Sequence, residues 1–284
     1  MDAPPEREDC RPFLHVARLL AAAGVHVPEV LEQDLEQGFL LLSDLGNVTY
    51  LEALSDPTAD ALYGDAIAAL IQIQRASRPD ALPRYDEAPL RRELMLFAEW
   101  YVGRHLGASL TPSRRQVLEQ AFDKILRVNL AEAPVFVHRD YHCRNLMVAA
   151  PNPGILDFQD AVFGPASYDL VSLLKDAYVA WDERRVEDWA ARYWQQARQA
   201  GLPLPPAFAD FLRDFDWMGV QRHLKILGIF ARLWHRDGKS GYLRDMPRVL
   251  GYLRAACARY GELHPLLGLL DELPVPIPAV ETPL

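Results

Sequence analysis

The chain has 284 residues, half of them hydrophobic and a tenth aromatic, enough for one or two packed cores and too much for a disordered, collagen-like or low-complexity protein. Thirty basic against 39 acidic residues give a net charge of −9, which repels polyanions and argues against nucleic acid as a partner. Three widely spaced cysteines (Cys10, Cys143, Cys257), no apolar run near the ~20 residues that span a bilayer, and an acidic, prolyl N-terminus together predict a cytoplasmic protein with no membrane partner.

The first predicted element is a helix over 10–23. Asp9 is its N-cap, Gly24 closes it, and Phe13, Val16, Ala17, Leu20 and Ala21 recur at helical spacing. Two strand-like runs, 27–31 and 39–42, flank Glu36-Gln37-Gly38 as a hairpin. Helices are predicted over 58–75, 88–105 and 112–130, the last with Thr111 as cap and Pro112 in the first position. Short extended pieces follow at 135–137, 146–148 and 154–156. Helices resume at 166–180, 183–200, 206–234 and 246–260, ahead of a Pro-rich tail. This order predicts an α/β (α+β) class, with a small helix-plus-strand head and a large, mainly helical body.

Two segments carry chemistry. The apolar run Val135–Val137 leads into His138-Arg139-Asp140-Tyr141-His142-Cys143-Arg144-Asn145, and seventeen residues past Asp140 a second short run ends in Asp157-Phe158. A carboxylate that can deprotonate a hydroxyl, together with an amide and a second carboxylate that can hold Mg²⁺ on phosphates, is the part set of phosphoryl transfer. Each piece alone is usually a turn; the two together, each after a strand-like run, point to a site. A rival reading makes His138, Asp140 and His142, at alternate positions of an extended segment, the ligands of a hydrolytic metal. It leaves Asn145 and Asp157 without a role.

The stretches His138–Asn145, Leu156–Asp160 and the Gly164-Pro165-Ala166-Ser167-Tyr168-Asp169 run resemble the aminoglycoside phosphotransferase superfamily, relatives of the protein kinases. With Phe39–Gly46 and Gln221-Arg222-His223-Leu224-Lys225 added, the likeness is strongest to bacterial kinases of the anomeric hydroxyl of N-acetylmuramate and N-acetylglucosamine, enzymes of peptidoglycan recycling. The resemblance runs over roughly residues 1–260. It implies a two-lobe, protein-kinase-like fold in three stretches: an N-lobe remnant over 1–45, a helical C-lobe over 46–265 and a tail over 266–284. It also implies ATP as donor, Mg²⁺ as cofactor, and a nucleotide and an amino sugar as small-molecule partners.

Carried over by position, the resemblance makes Asp140 the catalytic base and His138 a brace of the same loop. Asn145 and Asp157 become the metal ligands, and Asp169 a support beneath the loop. Leu42, Ser43, Asp44 and Leu45 become the hinge that meets the purine, although residues 41–43 read equally well as an interior strand. For the acceptor it implies His142 and Arg144, and on the predicted helix 206–234 Trp217, Gln221, Arg222 and Lys225. A cationic helix face with a half-buried Trp is the plainer alternative for the latter group.

The chain departs from the family pattern at its start. No glycine precedes Gly24, no lysine precedes Lys124, and helix 10–23 holds no Glu to pair with one. The expectation is therefore a truncated N-lobe, whose exposed strand edge invites self-association. Two alternatives stand beside the sugar kinase: a kinase for an aminoglycoside or another small-molecule hydroxyl, and a truncated, non-catalytic binding module.

Overall fold

In the computed structural model, which describes residues 1–6 and 8–274, Asp9 caps the first helix by accepting the Arg11 N–H at 3.0 Å. The elements are α1 (Cys10–Ala22), β1 (Val30–Asp34), β2 (Phe39–Leu42), α2 (Tyr50–Ala53), α3 (Ala59–Arg75) and α4 (Glu87–Leu96), which runs on as a π-helical stretch, Phe97–His105. Then come α5 (Pro112–Asn129), β3 (Pro134–Val137), β4 (Leu146–Met147), β5 (Gly154–Ile155) and β6 (Val162–Pro165). The rest is α6 (Tyr168–Leu174), α7 (Glu183–Gln199), α8 (Phe208–Asp237), α9 (Met246–Arg259) and α10 (His264–Glu272). The class is α+β, as expected. Residues 275–284, most of the Pro-rich tail, lie outside the described residues.

The chain divides into two compact units, 1–85 with 131–215, and 86–130 with the described residues from 216 on. In the first, β1 and β2 pair antiparallel with Val30 opposite Leu42 and Asp34 opposite Phe39. The Asp34 carboxylate closes their turn by accepting the Glu36 and Gln37 N–H groups at 3.1 and 3.0 Å. Residues 1–3 lie along β2: the Leu40 N–H donates to the Met1 carbonyl and the Ala3 N–H to that of Gly38.

The strand β6 was not legible, because Gly164 and Pro165 interrupt its apolar run. It forms because β3 pairs with it, Val135 opposite Gly164 and Phe136 opposite Phe163. A side chain at Gly164 would fall 2.7 Å from the Tyr85 Cβ, so the backbone there must stay bare. The predicted helix 166–180 is corrected to Tyr168–Leu174: at Lys175 (φ −114°, ψ 50°) the chain leaves the helix. There the Asp176 carboxylate turns to accept the backbone N–H groups of Cys143 and Tyr178.

In the second unit, the predicted helix 88–105 is α-helical only to Leu96 and π-helical beyond. The backbone of α8 meets it at that junction, where a Cβ on Gly228 would lie 2.4 Å from the Leu96 carbonyl carbon. The helix α10, unread in the sequence, buries Leu266, Leu269 and Leu270 and packs against α5 and α9.

Candidate active site

The strand β3, buried at Val135, Phe136 and Val137, carries the chain into the loop at His138. The carboxylate of Asp169, fully buried in the first turn of α6, receives that loop from beneath. Its two oxygens accept the His138 N–H at 2.6 Å and the Arg139 N–H at 3.0 Å. Arg139 is held at φ +77°, a left-handed conformation that side-chain-bearing residues rarely adopt, and the Asp169 bonds offset its cost. Tyr141 pins the next turn to α3, its hydroxyl donating to the Ala66 carbonyl at 2.8 Å.

His138 sits with its ring between the two chemical segments. Its Nδ1 accepts the Asp140 N–H at 3.3 Å, which leaves the proton on Nε2 to donate to the Leu156 carbonyl at 3.0 Å. Burial pushes its pKa down to about 4, so the imidazole is neutral through the physiological range. Both ring nitrogens are engaged by backbone, which removes His138 from the rival three-residue metal set. Among the described residues no group of three or more His, Cys, Asp and Glu side chains is placed to hold a metal.

The two segments close on each other through Asn145. The Leu156 N–H donates to the Asn145 carbonyl at 2.9 Å, and the Asn145 amide nitrogen donates to the Asp140 carbonyl at 3.0 Å and to Asp157 Oδ2 at 3.2 Å. Asp157, exposed and at φ +61°, takes a second amide donor on its other oxygen, Gln159 Nε2 at 2.8 Å. With the Asn145 nitrogen engaged, its amide oxygen is the atom that would be offered to a cation. One carboxylate and one amide oxygen fit the hard, partly protein-built sphere of Mg²⁺, which takes its remaining oxygens from phosphates and water. Gln159, unassigned from sequence, is two residues past Asp157 and could have been flagged only by its nearness to that carboxylate.

The other predicted positions distribute as follows. Ser43 pairs with Glu29 through both backbone and hydroxyl, the Glu29 N–H donating to Ser43 Oγ at 2.8 Å. Asp44 accepts the Gly46 N–H at 2.8 Å, while Leu42 is half-buried and Leu45 buried. In the same loop as Asp140, the Arg144 guanidinium lies 4.0 Å from the centre of the Tyr178 ring, and His142 packs edge-on to the same ring at 5.5 Å. Tyr178 and Asp176 are site residues that sequence reasoning missed. On α8, Trp217, Gln221, Arg222 and Lys225 are all buried. Gln221 Nε2 donates to Glu93 Oε2 at 3.2 Å, and Lys225 Nζ lies 3.2 Å from Glu93 Oε1, a partner on α4 with no signal in the sequence. Trp217 packs on Tyr260 at 6.1 Å between ring centres.

Residues 1–211 match the profile of the phosphotransferase enzyme family. An N-acetylmuramate/N-acetylglucosamine kinase of Pseudomonas aeruginosa is 57% identical over 96% of this chain and 81% of its own length. One of the same name from Neisseria meningitidis serogroup B is 50% identical over 96% of this chain and 82% of its own. Solved structures share the fold at low identity. An ADP-bound aminoglycoside phosphotransferase, APH(2'')-Ib, aligns with a TM-score of 0.57 at 16% identity, covering 86% of this chain and 81% of that one. A choline/ethanolamine kinase family protein from Mesorhizobium loti aligns with 0.60 at 17%, covering 90% and 82%. Among the described residues no helix is long and apolar enough to cross a membrane. The kinase-like fold, the two-segment motif and the match over most of its length show that the chain belongs to the phosphotransferase enzyme family.

Proposed function

We propose that this protein is a cytoplasmic, ATP- and Mg²⁺-dependent kinase that phosphorylates the anomeric hydroxyl of N-acetylmuramate and N-acetylglucosamine. The relatives of 50–57% identity bear that substrate pair in their names. One observation supports this reading most: the Asn145 carboxamide bridges the Asp140 carbonyl at 3.0 Å and the Asp157 carboxylate at 3.2 Å, joining the segment that carries Asp140 to the one that carries Asp157.

In this reading Asp140 orients the acceptor hydroxyl and takes its proton as the bond to the γ-phosphorus of ATP forms and the bond from that phosphorus to the departing ADP breaks. Its backbone is fixed from both sides, by the neutral His138 below and by the Asn145 amide and the His142 N–H on its carbonyl. Asn145 and Asp157 would hold Mg²⁺, which, when bound, neutralises charge on the donor phosphates. His142 and Arg144, beside the base, are assigned to the acceptor, and the hinge Leu42–Leu45 to the nucleotide. The edge of β1 is assigned to self-association, which sedimentation over a concentration series tests: a single monomeric species at all concentrations removes it.

The deciding experiment is a coupled ADP-release assay over a panel of amino sugars and aminoglycosides, with phosphorus NMR on the product. The expected outcome is an anomeric phosphate on both N-acetyl sugars. Transfer to an aminoglycoside alone, or to a different sugar hydroxyl, would replace the assignment.

A further inference from the structure

The helix α6 brings two buried aspartates to the catalytic loop. Asp169 stands in its first turn and Asp176 two residues past its end, after the chain has left the helix at Lys175. Asp169 holds the start of the loop at His138 and Arg139. Asp176, 2% exposed, holds the far part: one oxygen accepts the Cys143 N–H at 3.0 Å and the other the Tyr178 N–H at 2.9 Å.

We infer that Asp176 is a positioning residue for the acceptor half of the catalytic loop. The inference rests on the phosphoryl-transfer reading above and adds to it a residue that acts through others. A carboxylate withdrawn from water needs strong donors, and here both oxygens are spent on two backbone segments, which makes the side chain a cross-link. One segment is the Cys143 amide, flanked by His142 and Arg144. The other carries Tyr178, on whose ring Arg144 lies at 4.0 Å and His142 at 5.5 Å. The Tyr178, Arg144 and His142 side chains thus take their directions from one anchor.

The metal half of the loop has further ties of its own. Besides the bond from its N–H to the His142 carbonyl at 2.9 Å, Asn145 is fixed by bonds to Leu156, Asp140 and Asp157, none of which passes through Asp176. Losing Asp176 therefore loosens the acceptor side and leaves the nucleotide side in place. The early end of α6 has the same explanation, since a helix continued to residue 180 would not turn this carboxylate onto Tyr178.

The test is Asp176→Asn, which keeps the shape and replaces one accepting oxygen by a group that cannot accept. With ATP and N-acetylglucosamine varied separately, kcat/KM for the sugar is expected to fall about 10- to 100-fold, the scale of a small misplacement of reacting groups. Calorimetric affinity for Mg·ADP is expected to stay within about twofold. A drop in thermal stability with unchanged sugar kinetics, or equal losses for sugar and nucleotide, would overturn the assignment. The unmodified protein supplies a second reading that needs no variant: slow hydrogen exchange at the Cys143 and Tyr178 amides is expected, and fast exchange at both overturns it. Should the sugar panel find a different hydroxyl acceptor, the substrate reading fails while the Asp176 comparison is made with that acceptor, so the two failures are distinct.

Discussion

The loop 138–145 and the polar stretch of α8 are both dense in ionisable side chains, yet they satisfy them in opposite ways. In and beneath the loop, His138, Asn145 and the α6 residue Asp169 reach backbone groups or a carboxylate of the same two-segment motif, and the bonds build a shape for which the chemistry has a use. On α8, Gln221 and Lys225 both meet Glu93, 128 positions from Gln221, and Asp216 takes the Arg259 guanidinium at 2.8 Å and the Tyr260 hydroxyl at 2.9 Å. The loop's polar groups are organised around main chain, whereas those of α8 are organised around distant side chains. A cationic face read from helical periodicity alone is therefore not free charge: the carboxylate that balances Lys225 was invisible until α4 was in place. What the difference teaches is that motif spacing identifies a site, while the charge state of a helix face depends on what packs against it.

That contrast is sharpest at Asp140. Asp140→Asn is expected to lower kcat by roughly 10²–10⁴-fold, the usual contribution of a general base, with the fold kept. A change below about tenfold in steady-state turnover would return the loop to a structural role. Asp157→Ala comes next: nucleotide binding is expected to lose its dependence on Mg²⁺, and identical calorimetric isotherms with and without the metal in the parent would remove the metal reading.

On the α8 side the effect is predicted on stability. Glu93→Gln removes the carboxylate facing Lys225 and Gln221, whose side chains are nearly enclosed, and is expected to cost about 2 kcal/mol in urea unfolding, the scale of a hydrogen bond to a buried charged group. An unchanged midpoint would mean that the pair contributes nothing to the fold.

The smallest effect is a pH slope. Glu132 accepts both the N–H and the hydroxyl of Ser167 at 2.8 Å, two residues ahead of Asp169, and burial pushes its pKa up to about 8. The folded chain then keeps a proton that the unfolded chain releases near 4.5, so this group's contribution to stability declines as pH rises from about 4.5 to about 8. Glu132→Gln is expected to flatten that slope in unfolding curves taken across the range. Parallel slopes for parent and variant would assign the pH dependence elsewhere.

Much was legible in the linear chain, and for a common reason. The start of α1 at Asp9, the cap at Thr111, and the Asp140, Asn145 and Asp157 spacing are all relations between residues close together in the chain, where stereochemistry alone sets the distances. The hydrophobic periods of α3 and α5 likewise announced their helices within a residue or two at each end. Tertiary structure decided the rest. The strand β6 exists because β3 offers it a ladder, α6 stops where Asp176 finds two amide donors, and the α4 helix widens where the Gly228 backbone presses on Leu96. In each of these cases the deciding partner lies far along the chain. A hydrogen bond or a steric contact acts over a few ångströms, so such a partner takes effect only after folding has brought it near.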